Sequence, residues 1–262
     1  MTRVRLDQLL VDRGLAPSRA AAQALLLAGD VELAGAGTRT LKAGQLVDPQ
    51  AQVAVAARPR WASRGGDKLE AALDAFAVNP TGLACLDAGA STGGFTDVLL
   101  ARGARIVYAI DVGRGQLIDR LARDPRVVSR ERTNLREVRE LPEAIDLATL
   151  DLAFISLRLV LGVVRALLAP AGRVITLVKP QFEAGRDAVP RGGVVREPTT
   201  HRAVLLRFAE DAAAAGLHPA GLIASPLAGA EGNREFLALL MAGEGQAVDW
   251  AATVDAVVPS GV

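Results

Sequence analysis

The segment Asp87-Ala88-Gly89-Ala90-Ser91-Thr92-Gly93-Gly94-Phe95 follows the apolar run Leu83–Leu86 and has the composition of a cofactor loop. Glycines between a strand and a helix let a ligand approach the backbone with no Cβ in the way. An ordinary tight turn can have the same composition, so the neighbouring residues decide. No lysine follows Gly94, which excludes a Walker-type phosphate loop, whose chemistry needs that charge. Ser91 stands at the middle-glycine position of a dinucleotide fingerprint, which weakens an NAD reading. The loop opens on one acid, Asp87, and the apolar run Arg105–Ile110 ends on another, Asp111. An acid at the second strand's end binds ribose hydroxyls. An acid in the first loop favours a cationic ligand over pyrophosphate. The pattern favours S-adenosylmethionine over NAD, held by Asp87, Gly89, Ser91, Thr92, Gly93, Gly94, Phe95 and Asp111.

A loop of this kind needs a parallel sheet behind it. From Trp61 onward, apolar runs at Leu83–Leu86, Arg105–Ile110, Ile145–Leu150 and Val174–Val178 alternate with helix-like segments such as Ser156–Leu168 and Thr200–Ala215. Leu217–Ser225 and Phe236–Met241 supply the last two strands. Alternation of strand and helix predicts an α/β, Rossmann-like parallel sheet with helices on both faces. The front of the chain reads differently. Leu6, Leu9 and Leu10 share a helical face closed by Gly14, and Ser18 caps a second helix running to Gly29. Val31–Leu33 and Gln52–Val55 alternate like short strands about a turn at Gly35 and Gly37. The prediction is a small α+β domain over residues 1–57, a proline-constrained linker over 58–62, and a large α/β domain over 63–262.

Bulk composition excludes several function classes. The chain has 262 residues, half of them hydrophobic, and a formal net charge of +1 at pH 7. Residues 1–60 carry eight Lys/Arg against five Asp/Glu, leaving 22 against 24 for the rest, so the front end is faintly basic. Cys85 is the sole cysteine, which precludes an internal disulfide, and with His201 and His218 as the two histidines no zinc site is expected. Charges at Arg3, Arg5 and Asp7 interrupt the start, so it does not read as a signal peptide. No apolar run approaches the ~20 residues that span a bilayer. A cytoplasmic protein without metal is expected.

Several further motifs, in this order and spacing, resemble the TlyA family of ribose 2′-O-methyltransferases acting on ribosomal RNA, historically called hemolysins. The resemblance spans essentially the whole chain. Arg5-Leu6-Asp7 through Gly14, Ser18-Arg19, and Gly29-Asp30-Val31 are similar to an S4 RNA-binding domain. Ser63-Arg64-Gly65-Gly66-Asp67-Lys68-Leu69 matches the family's junction motif. The cofactor loop and Ile110-Asp111-Val112-Gly113 follow, then Asp151-Leu152-Ala153-Phe154-Ile155-Ser156. Lys179-Pro180-Gln181-Phe182-Glu183 and Gly232-Asn233-Arg234-Glu235-Phe236 come last. Two positions depart from the pattern. Ala153 stands where the family often has serine, and Leu33-Ala34-Gly35 replaces the usual Val-Asn-Gly of S4 domains.

The resemblance implies an FtsJ-like catalytic domain and a catalytic set of Lys68, Asp151, Lys179 and Glu235. Asp151 and Lys179 each directly follow an apolar strand, at the sheet edge where α/β folds bind ligands, and Pro180 restricts the backbone of Lys179. A lysine is a poor base at its reference pKa of ~10.4, so either a general base or a charge stabilising the developing alkoxide fits Lys179. Asp151 is also expected to face the cofactor, and Asn134, in an Asn-x-Arg element, either shapes the adenosine site or makes a plain turn. The implied substrate is ribosomal RNA or a ribosomal subunit, with cytidine as the target. Candidate phosphate contacts are Arg5, Arg13, Arg19, Arg39, Lys42 and Arg64, together with Arg186 and Arg191 in the long loop Gly185–His201. Phe95, Phe154, Phe182 and Phe236 lie inside motifs, where core packing is the leading role and stacking on a flipped base the alternative.

Two other classes compete. A membrane-active cytolysin needs a spanning segment, a β-barrel pattern or a basic amphipathic helix, and none is legible. A non-catalytic RNA-binding protein would not need the Asp87 loop, Asp111 and the charged set together.

Overall fold

The computed structural model describes all residues except 1–2, 29–30, 35–40, 56–59, 186–188, 191, 230–231, 244–247 and 259–262. Contacts divide the chain into two units, Met1–Arg60 and Trp61–Val262.

In the first unit β1 (Val4–Arg5) leads into α1 (Leu6–Asp12), followed by α2 (Arg19–Ala28), β2 (Val31–Leu33), β3 (Leu46–Val47) and β4 (Val53–Val55). Pairing is antiparallel, β1 with β3 and β2 with β4. Ser18 Oγ accepts the Ala21 N–H at 3.2 Å, the expected cap of α2. Leu6, Leu9, Leu10, Ala22 and Leu26 bury the facing sides of both helices against Val31 and Val47. The two-residue strands β1 and β3 escaped the sequence reading because alternation has no meaning over two positions.

Asp7 is fully buried in this small core. Its carboxylate accepts from Arg5 Nε at 3.0 Å and Nη2 at 2.9 Å, from Arg19 Nη2 at 3.1 Å and from Gln23 Nε2 at 3.0 Å. The Arg5 hydrogen bonds, aided by Gln23 and Arg19, hold the acid well below the usual carboxylate range despite its burial.

The second unit carries α3 (Gly65–Ala75), β5 (Ala84–Ala88), α4 (Gly94–Ala101), β6 (Ile106–Ile110), α5 (Asp119–Ala122), β7 (Val127–Arg130) and β8 (Ile145–Leu150). Then come α6 (Leu161–Leu167), β9 (Leu168–Val178), α7 (Pro180–Glu183), α8 (Pro198–Ala214), β10 (His218–Ala224), β11 (Phe236–Met241) and α9 (Trp250–Val257). They build one seven-stranded sheet in the order β10-β11-β9-β8-β5-β6-β7. Alternate residues of the buried strands enter opposite cores. Leu86 and Ala148 pack with Val164, Leu205 and Phe208 on one face; Cys85 and Leu147 pack with Leu73, Val98 and Leu99 on the other. Helices on both faces are thus required to cover the sheet.

Three expectations need correction. The sheet is mixed, because β11 runs antiparallel to both β9 and β10. The stretch between β10 and β11 contains no helix among its described residues, and a helix-free return of that length favours antiparallel pairing. The helix foreseen over Ser156–Leu168 is a 3₁₀ turn at Leu157–Leu159 followed by α6, with Leu168 already in β9. Trp61, assigned to the linker, belongs to the core of the second unit, 8 % exposed; residues 58 and 59 lie outside the described residues.

Candidate active site

After β5 the chain turns to β6 on one side, while β8 pairs on the other, so the strand order reverses between β5 and β8. Ligands of α/β sheets bind outside the carboxyl ends of strands at such a switch point. Here the glycine loop after β5 meets Asp151 after β8. A Cβ on Gly89 would lie 2.4 Å from the Asp151 carbonyl oxygen, and the residue has φ +84°. Only glycine allows this approach. Gly89→Ala is therefore expected to separate the loop from Asp151, lower the melting temperature by several degrees and weaken cofactor binding. Thermal unfolding and calorimetric titration of the variant check this.

The resulting cleft is lined by the loop residues Gly89, Ser91, Thr92, Gly94 and Phe95 together with Asp151. Gly93 does not line it; its Cα faces Leu117 and Leu121, leaving 2.4 Å between a Cβ there and Leu121. Asp87 stands behind the loop, fully buried, accepting from Thr96 Oγ1 at 2.6 Å and Thr149 Oγ1 at 3.3 Å. Burial pushes its carboxyl up to about 7 against the pull of the Thr96 hydrogen bond. Its described partners are scaffold residues, so it does not offer the ligand-facing charge foreseen for it. Asp111 does stand beside the loop, accepting from Ser91 N at 2.8 Å and Gly113 N at 2.6 Å. It opens on a small recess with Ser129 and Glu131, the latter unnoticed in the sequence. Asn134 accepts the Arg136 N–H at 3.1 Å and caps a 3₁₀ turn, which is the plain-turn alternative.

The four charged candidates line the same cleft as the glycine loop. Lys179 Nζ lies 2.6 Å from Asp151 Oδ1, and Lys68 Nζ lies 2.5 Å from Glu235 Oε2. Asp151 and Lys179 follow parallel strands, whereas Glu235 precedes β11. The reversed direction of β11 is what brings its beginning to the same edge. Gly229 lies against it: a Cβ there would meet Glu235 Oε1 at 2.5 Å, so the carboxylate would have to shift. Ser63 and Gly65, which the junction motif contains but which sequence reasoning did not assign to the site, also line the cleft, as does the Leu227–Gly229 loop. For that loop the one available signal was Gly229 in an otherwise unremarkable segment.

A second, more apolar pocket shares Lys179 and Glu235 and adds Phe154, Phe182, Gly193 and Asn233. Phe95 and Phe236 are core residues, as expected. Phe154 is not: it is 91 % exposed with φ +61°. Its ring lies 5.2 Å from that of Phe182, tilted by 50°, and Lys179 Nζ stands 6.0 Å from the Phe182 centroid. Glu183 anchors the Phe154 loop, accepting from Ser156 Oγ at 2.7 Å and Leu157 N at 2.8 Å. Burial raises the Glu183 carboxyl above its ordinary value, against those two hydrogen bonds.

Of the candidate phosphate contacts, Arg64 lines the cleft. Arg5 and Arg19 are half-exposed but tied to Asp7, and Arg13 donates to the Pro49 carbonyl at 2.7 Å. Lys42 is exposed. Arg39, Arg186 and Arg191 lie outside the described residues.

Comparison with known proteins bears on this arrangement. Residues 61–241 match the model of the FtsJ-like methyltransferase family. The 16S/23S rRNA (cytidine-2′-O)-methyltransferase TlyA of Mycobacterium tuberculosis is 47 % identical over 89 % of this chain and 88 % of that protein. Hemolysin A of Brachyspira hyodysenteriae is 37 % identical over 90 % of this chain and 98 % of its own length. Among solved structures, a hemolysin-named protein from Streptococcus thermophilus superposes with a TM-score of 0.76 at 39 % identity, covering 98 % of this chain and 95 % of the other.

Proposed function

We infer the reaction from one premise, that this chain belongs to the FtsJ-like methyltransferase family and, within it, to the TlyA proteins. It transfers a methyl group from S-adenosylmethionine to the ribose 2′-hydroxyl of cytidine in ribosomal RNA. The observation that carries the reading is the pair of ion pairs, Lys179–Asp151 and Lys68–Glu235, standing in one cleft with the glycine loop. Front-unit binding resembling an S4 domain, and large-subunit RNA as the main target with a small-subunit target beside it, belong to the same reading. Such an enzyme meets its substrate in the cytoplasm.

The residues fit the cofactor. Gly89 and Gly94 line the cleft, and their missing Cβ atoms let Asp151 and Ser63 close up against the loop: a Cβ on Gly94 would come within 2.2 Å of Ser63 Oγ. Asp111 would hold the ribose hydroxyls, and the absence of a lysine after Gly94 suits a ligand without phosphates. When bound, the cofactor supplies an electrophilic methyl on a sulfonium. The chain's own groups then act on the ribose. Lys179 addresses the attacking oxygen and stabilises its negative charge as the hydroxyl proton passes to solvent water; the oxygen would then take the methyl as the methyl's bond to sulfur breaks. Asp151 orients Lys179, Glu235 orients Lys68, and alignment of the oxygen with the methyl supplies much of the rate. Phe154 and Phe182 offer faces on which an unstacked base can rest.

Asp111→Ala is expected to weaken S-adenosylmethionine binding by roughly tenfold or more, as a charge-assisted contact is lost. Calorimetry decides it, and unchanged affinity would mean the ribose is held elsewhere. The reaction itself is tested by mapping 2′-O-methylcytidines on ribosomal RNA incubated with and without the protein. The lytic reading has less support: among the described residues no helix is long and apolar enough to cross a membrane.

A further inference from the structure

Asn233 has no part in the chemistry above, yet it is 1 % exposed and uses both ends of its carboxamide. Its Nδ2 donates to the Gly193 carbonyl and its Oδ1 accepts the Val195 N–H, each at 2.9 Å. The Val195 carbonyl accepts from His201 Nε2 at 3.0 Å. His201 is itself buried, edge-on to Phe236 at 5.5 Å, and burial holds its imidazole below the ordinary value. Residues 194–196 adopt no regular secondary structure, so no sheet or helix ladder serves their backbone. Asn233 thus serves this stretch as a neighbouring strand would, matching one acceptor and one donor of the main chain. Both Gly193 and Asn233 line the pocket that holds Phe154, Phe182 and Lys179.

We propose that Asn233 is a positioning residue for the RNA, which with His201 fixes Gly193–Val195 as the outer wall of the pocket receiving the target nucleoside. The proposal rests on the RNA-methylation reading. It assigns Asn233 a role separable from that of Glu235, two residues on. Glu235 has anchors of its own: its carboxylate pairs with Lys68, and its carbonyl accepts the Ser225 N–H at 2.9 Å. Releasing the wall therefore leaves the charged set in place. It loosens only the surface against which a flipped nucleoside is held, so the loss falls on substrate binding rather than on the chemical step.

The test compares full-length Asn233→Ala and Asn233→Asp with the unaltered protein. Aspartate keeps the acceptor for Val195 and turns its second oxygen on the Gly193 carbonyl, so it should not rescue. Both variants are expected to raise the KM for ribosomal subunits by about tenfold or more, the scale of one to two lost hydrogen bonds. The kcat and cofactor affinity should stay within about twofold. Amide hydrogen exchange should show the Val195 N–H protected in the unaltered protein and exposed in both variants. A fall in kcat at unchanged KM would overturn the proposal, placing Asn233 behind Glu235. Loss of cofactor affinity together with a large drop in melting temperature would also overturn it, making Asn233 a fold residue. Unchanged KM with loss of Val195 protection would show that the wall exists but does not serve RNA. If the unaltered protein methylates no ribosomal RNA, the reaction itself fails and the proposal falls with it, an outcome distinguishable because the exchange result needs no substrate.

Discussion

Lys179→Ala is expected to reduce methyl transfer by about 10²–10³-fold, the scale on which a group stabilising developing oxygen charge contributes. Cofactor affinity should barely change, because on the proposed reading the lysine addresses the ribose oxygen and the glycine loop with Asp111 holds the cofactor. The fold should survive as well. Asp151, the partner left behind, is 27 % exposed at its side chain, so water can hydrate the orphaned carboxylate. A fully buried partner would instead impose a penalty of several kcal/mol. Radiolabelled methyl transfer beside a calorimetric cofactor titration separates the two effects. Lys179→Arg sharpens the assignment. Arginine keeps a positive charge but cannot accept a proton at any working pH, so partial recovery supports charge stabilisation and none reassigns Lys179 as a base. Full activity in the alanine variant would remove Lys179 from the mechanism altogether.

The sequence made some of this site legible and hid the rest for identifiable reasons. Asp151 and Lys179 could be placed because they follow parallel strands, where the ligand edge of the sheet is known in advance. Glu235 obeys the opposite rule. It precedes a strand, and only the antiparallel insertion of β11 carries it to that edge. Family resemblance supplied Glu235; strand order alone would have sent it to the wrong end. Asp87 misled for a different reason. An acid opening a glycine loop reads as ligand-facing, but strand alternation turned this one inward against Thr96 and Thr149. Phe154 was similarly opaque. Nothing in a sequence signals that an aromatic residue with apolar neighbours takes a positive φ and points to solvent.

Removing residues 1–60 is expected to abolish methylation of ribosomal RNA while leaving S-adenosylmethionine binding intact. The glycine loop, Asp111 and both ion pairs lie in Trp61–Val262, which has its own cores on the two faces of its sheet. The front unit offers Arg13, Lys42 and the half-exposed pair Arg5 and Arg19, whose guanidinium groups Asp7 holds in place. On the proposed reading these groups pair with phosphate oxygens, contacts that fix register and orientation and would hold RNA without choosing the nucleotide. Affinity of the full chain for ribosomal subunits should fall steeply with salt, since phosphate contacts release counterions. The truncated protein should lose most of that affinity and most of its salt dependence together. Titrating both proteins with subunits at two salt concentrations, and with cofactor separately, provides the check. Methylation at the full rate by residues 61–262 would show that the catalytic unit anchors RNA by itself.

The left-handed backbone at Phe154 also has a consequence for how variants of this protein would be ranked. A bulky residue in that conformation costs about 1–2 kcal/mol relative to an ordinary backbone, and a ring that is 91 % exposed recovers little of this by burial. Glycine, or asparagine to a lesser degree, would sit there with less strain. A library at position 154 sorted by heat resistance would therefore rise toward residues that cannot stack on a base. Under the base-stacking role proposed for Phe154, the same library sorted by modified nucleotides would run the other way. At this position durability and usefulness are competing selections, and thermostability screening alone would discard the ring.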